Sequence, residues 1–193
     1  MAFNRLARGA ASMGRVTKDE GHNRFVWDVR NQSGIAVPPG AYQARLKVGD
    51  TTLTQPFSVL IDPNISAEGI TVADLKEQYD HNIRTRALVT SATELVSRVR
   101  EAQARLKGTT GADADKAKQV DTIAAKLLNE PVRYGKPGLQ EHITYLAGMT
   151  NRVDQKVGRD ALERYEVLKK ELDAVRAEFD RVMAGSAAAG RLP

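Results

Sequence analysis

The side chains able to do chemistry come first, and the three histidines head them, because imidazole can ligate a metal or move protons near neutral pH. His22, His81 and His142 form no HExxH pattern and have no second ligand at i+4. The 193-residue chain also contains no cysteine, so thiolate zinc sites and disulfides are excluded. Surface or edge positions are expected for all three. Tyr79, Asp80 and His81 resemble a proton relay, but consecutive helical residues point about 100° apart and cannot converge on one substrate. Asp74, Glu77, Asp80 and Glu94 spread along one expected helix, where carboxylates cap or pair rather than act as an acid and base couple. The Glu-x-x-His signature of di-iron bundles is missing, since Glu141 and His142 are adjacent. The glycines are isolated, so no phosphate-cradling loop is expected. No catalytic, cofactor-binding or metal-binding residues are assigned. Trp27, the only tryptophan, could stack on a sugar, but its parity with Phe25 and Val29 favours a core position.

Those residues sit on two kinds of element. In "NRFVWDVR", Phe25, Trp27 and Val29 share one parity and Arg24, Asp28 and Arg30 the other, the pattern of a strand with one buried face. "VPPG" supplies a turn, and a second strand puts Tyr42, Ala44, Leu46 and Val48 inward with Gln43, Arg45 and Lys47 outward. Gly49 and Asp50 suit a two-residue hairpin turn. That turn sets Val48 opposite Thr51, Leu46 opposite Leu53, Ala44 opposite Gln55 and Tyr42 opposite Phe57. The inward parity continues through Val59 and Ile61. Three strands with one apolar face need a cover, and residues 1–22 offer at most one weak strand, around 14–20.

Beyond Asp62 and Pro63 the periodicity becomes helical. Thr71 with Asp74 reads as a capping box opening a helix over 72–107, ended by Gly108. Its stripe runs through Leu75, Tyr79, Ile83, Leu88, Ala92, Leu95, Val99, Ala102 and Leu106. Thr110 with Asp113 is expected to cap a second helix carrying Ala117, Val120, Ala124 and Leu127. A third takes Leu139, Ile143, Leu146, Met149 and Val153. Asp160 with Glu163 is expected to cap a fourth, with Tyr165, Leu168, Leu172, Val175, Phe179 and Val182 on one stripe. Four helices joined by short loops predict an antiparallel bundle.

Charge narrows the classes of partner. The net +5 is spread thinly, from eight Lys/Arg against five Asp/Glu in residues 1–62 to nine against nine in 139–193. A nucleic-acid surface needs cations converging on phosphates, so nucleic acid is not the expected partner. The first fifteen residues lack the apolar run of a signal peptide, and no stretch is apolar enough to span a membrane. Localisation stays open.

"FVWD", "VPPGAYQARLKVGD" and "QPFSVLIDP", followed by "TVADLKEQYDHNIRTRALV", resemble the C-terminal region of bacterial BNR-repeat proteins, the sortilin-like propellers often labelled glycosyl hydrolase. Their β portion is similar to an Ig-like fold. The resemblance spans about residues 20–184. It implies a non-catalytic appendage, because the Asp-box repeats of the propeller are not in this chain. It further implies a β unit that begins partway through its domain, and a family often exported.

The expected fold class is therefore α+β: a small antiparallel three- to four-stranded Ig-like unit, a partial sandwich, over 23–62, then an antiparallel four-helix bundle over 66–184. Residues 1–22 are expected to be a weakly structured extension and 185–193 a flexible tail. The expected function is a structural or protein-interaction module; the alternative is a carbohydrate-binding or accessory domain of a glycoside hydrolase. The expected partner is protein: a propeller domain, missing upstream strands, or a second copy. Phe25, Trp27, Val29, Tyr42 and Phe57 are the residues expected to form the sheet core or face that partner.

Overall fold

The computed structural model describes residues 20–185. The expected weak strand and, for the most part, the expected extension and tail lie outside them. The chain is mixed α and β, with a two-stranded antiparallel sheet and five helices among the described residues. β1 (Gly40–Val48) and β2 (Thr51–Val59) form a hairpin in the register expected from the turn, Tyr42 opposite Phe57 through Val48 opposite Thr51. Gly49 closes it at φ 57, which suits glycine at the first central position of a type II′ turn.

The expected third strand over 23–30 does not form. Val29 lies at φ 60, and a β-branched residue in the left-handed region leaves the extended pleat. Only an isolated bridge joins Arg30 to Ala36. The intervening loop closes on Asn31, whose Oδ1 accepts from the backbone N–H of Ser33 and of Ile35 at 2.9 and 3.1 Å. This side-chain turn satisfies locally the backbone groups that a ladder would otherwise pair.

α1 (Pro63–Ala67) is a single turn capped by Asp62. α2 (Val72–Leu106) begins at the expected capping box: Asp74 N–H donates to Thr71 Oγ1 at 3.1 Å, and Asp74 Oδ2 accepts from Thr71 N–H at 2.9 Å. α3 (Ala112–Leu127), α4 (Leu139–Thr150) and α5 (Arg159–Ala184) follow, with α3 and α4 each packed on α5. The caps expected from Thr110 and Asp160 are not made. The N-cap residues are Gly111 and Gly158, without side-chain capping bonds, and Glu163 instead pairs with Arg159 at 2.7 Å.

Two compact units divide the described residues, 20–83 with 153–157, and 84–152 with 158–185. The second is a helical core in which Leu95, Val99, Ile123, Leu127, Ile143, Leu168 and Leu172 are fully buried. Arg98 bonds Asp180 at 2.6 Å while lying over the Phe179 ring, and Lys126 meets Glu178 at 2.7 Å. Gly138 opens α4 where an added Cβ would collide with the backbone of Leu127 and Leu128, so the close approach requires glycine.

Two details of the expected stripes are corrected. Ile83, Met149 and Val153 are exposed. Around Ile83 the buried positions belong instead to polar residues, Gln78, His81, Asn82 and Thr85, because these fall on the same face of α2 as Leu75 and Leu88.

Candidate functional site

The site worth building is the hairpin face, where Trp27, Tyr42 and Phe57 meet. Tyr42 and Phe57 are directly paired across the strands and stack at 5.9 Å. Trp27 reaches them from the preceding loop, tilted on Tyr42 at 5.8 Å and edge-on to Phe57 at 5.9 Å. A bond from Trp27 Nε1 to the Arg30 carbonyl, 2.8 Å, fixes the indole orientation. The Tyr42 hydroxyl donates to the Pro38 carbonyl at 2.6 Å. Burial, with a smaller contribution from Tyr79, raises the Tyr42 phenol above its ordinary pKa. Tyr79, on the first turns of α2, also accepts from Asn31 Nδ2 at 3.4 Å, so the root of the hairpin is tied to loop and helix together.

Of the five residues expected on this face, the structure brings three into one cluster. Phe25 and Val29 are exposed and stay outside the ring triangle. Trp27 is mostly covered, as expected, although it reaches the two rings from a loop and not from a third strand.

The cover thins toward the tip. Leu46, Leu53 and Val48 lie on the same face as Tyr42 and Phe57 yet are 47%, 62% and 66% exposed. The opposite face carries Gln43, Arg45 and Lys47 on β1 against Pro56, Thr54 and Thr52 on β2. The hairpin thus has one apolar face and one basic, polar face.

Elsewhere the chemistry is sparse. His81 is fully buried, which corrects its expected surface position; His22 and His142 are exposed. Sequence periodicity could not separate His81 from its neighbours, because an α2 stripe one residue over contains Tyr79 and Ile83 and is more apolar. Among the described residues, no three His, Asp or Glu side chains are grouped to hold a metal ion. No described helix is long and apolar enough to cross a membrane. A groove of about 500 Å³ beside α3 and α5 is lined by Gln119, Thr122, Glu178, Arg181 and Val182, and Glu178 is engaged by Lys126. Comparison with family models, with curated proteins and with solved structures returns no match.

Proposed function

We propose that this chain is a non-catalytic protein-interaction module in which the β1–β2 hairpin presents the docking face. Helices α2 to α5 form an antiparallel four-helix bundle that serves as its scaffold. One observation carries the reading: Leu46, Val48 and Leu53 line up on a single sheet face and remain exposed. Contiguous exposed apolar side chains bounded by polar ones mark interaction surfaces. The same pattern fits a partial Ig-like unit whose remaining strands come from elsewhere, as the resemblance to the C-terminal region of BNR-propeller proteins implies. The carbohydrate-binding alternative finds less support. The Trp27 indole N–H is already committed to Arg30, and its ring packs against two others instead of lying flat and open.

The test uses the full 193-residue chain. The wild type is expected to bind a hydrophobic dye or to self-associate at micromolar concentration, and Leu46→Lys with Leu53→Lys to abolish both. A dye-silent wild-type monomer by light scattering would overturn the docking-face reading.

A further inference from the structure

The two edges of the hairpin differ, and one residue makes the difference. A two-residue turn at Gly49 and Asp50 makes Val48 and Thr51 a hydrogen-bonded pair. Antiparallel pairs alternate, so Leu46↔Leu53, Ala44↔Gln55 and Tyr42↔Phe57 also exchange backbone bonds across the hairpin. The backbone groups of the intervening residues therefore point outward: Ala41, Gln43, Arg45 and Lys47 from β1, and Thr52, Thr54, Pro56 and Ser58 from β2. Position 56 is proline and offers no N–H, which interrupts the donor row of β2 at its centre. The β1 row is unbroken. Among the described residues the sheet has two strands, so neither outer edge is paired.

The side chains along the intact edge also specify what can lie there. Gln43, Arg45 and Lys47 share the polar face, and their cross-strand neighbours Pro56, Thr54 and Thr52 bring no counter-charge. Among the described residues, Arg45 and Lys47 take part in no ion pair. An added strand places alternate side chains on alternate faces, one set beside these cations and the other beside Tyr42, Leu46 and Val48. Resting on the docking-face reading, we propose that the outer edge of β1 accepts an extended segment of a partner protein in which acidic and apolar residues alternate. Main-chain bonds supply the register of the added strand, the carboxylates pair with Arg45 and Lys47, and the apolar set covers the bare tip of the face.

The probe is a short synthetic peptide alternating glutamate and valine, titrated into the full chain while its backbone amides are followed by NMR. The Gln43, Arg45 and Lys47 amides are expected to shift and to exchange more slowly, with those of Thr52, Thr54 and Ser58 little changed. Gln43→Pro removes one outward donor and is expected to weaken binding roughly tenfold or more, whereas Thr54→Pro on the other edge leaves it unchanged. Arg45→Glu with Lys47→Glu is expected to lose the glutamate peptide and to gain a lysine–valine one. Retained Leu46 and Leu53 amide signals show that each variant keeps its hairpin. Equal response of both edges, or an affinity that Gln43→Pro leaves intact, would overturn the assignment. Absence of peptide binding would also overturn it; if Leu46→Lys with Leu53→Lys still abolishes dye binding in that case, the docking face stands and only strand addition falls.

Discussion

Trp27 holds its place through two ring contacts and one hydrogen bond, and these separate by substitution. Trp27→Phe keeps an aromatic ring and loses the bond to Arg30, so about 1 kcal/mol of local stability is expected to go. Trp27→Ala removes both ring contacts as well and is expected to cost about 2 kcal/mol. That is below the roughly 3–5 kcal/mol typical of a large core aromatic, because the indole is not fully buried. Exchange of the Leu46 and Leu53 amides reads the loss directly, and an unchanged rate in Trp27→Ala would show that the triangle does not support the hairpin. At this scale alternation set Tyr42 opposite Phe57, whereas Trp27 joins them from a loop, so strand parity does not account for its contact. It could not foresee the positive φ of Val29, which no propensity of valine suggests. Nor did it foresee the turn on Asn31, although the stretch Asn31, Gln32, Ser33, Gly34 carries turn-forming residues at both ends.

The elements most legible in the sequence are those whose signals agree at several positions. The hairpin register follows from Gly49, Asp50 and matched parity on both sides. The span of α2 follows from a capping box at one end and Gly108 at the other. The caps of α3 and α5 misled because Thr110 and Asp160 have suitable side chains, yet the preceding or following glycines take the N-cap position. The box on α2 also has a consequence for acid stability. The Thr71 hydroxyl and N–H, with a smaller contribution from Lys156, hold the Asp74 carboxyl below its usual pKa. A depressed folded-state pKa contributes stability that is present above the unfolded value, about 3.9, and is lost as pH falls through the folded value. Thr71→Ala is expected to cost about 1 kcal/mol at neutral pH. Its deficit relative to wild type should shrink in the acid range below about pH 4, once Asp74 is protonated in both. Denaturant titrations at neutral and acid pH check this, and a deficit that grows as the pH falls would contradict the cap.

At the scale of the whole molecule the apolar burial is unevenly divided. In the unit holding residues 20–83 and 153–157, the buried apolar side chains among the described residues are Ile35, Leu75 and Val157, whereas in the helical unit α3, α4 and α5 each bury several apolar side chains. A two-stranded hairpin is marginal in water unless further strands or packing cover its face, and here the tip residues are bare. Local opening should therefore precede global unfolding. The hydrogen-bonded amides of Leu46 and Leu53 are expected to show at least about a hundredfold lower protection than those of Leu168 and Leu172. At about 1.4 kcal/mol per tenfold, that is a gap of about 2.8 kcal/mol. Amide exchange under native conditions measures both sets in one experiment. Protection in the hairpin equal to that in α5 would mean that the unit closes its own core, and the reason for a partner at its face would disappear. A gap that narrows when an acidic–apolar strand is added would tie the low stability of the hairpin to its use, since a surface that waits for another chain to complete it must stay open until that chain arrives.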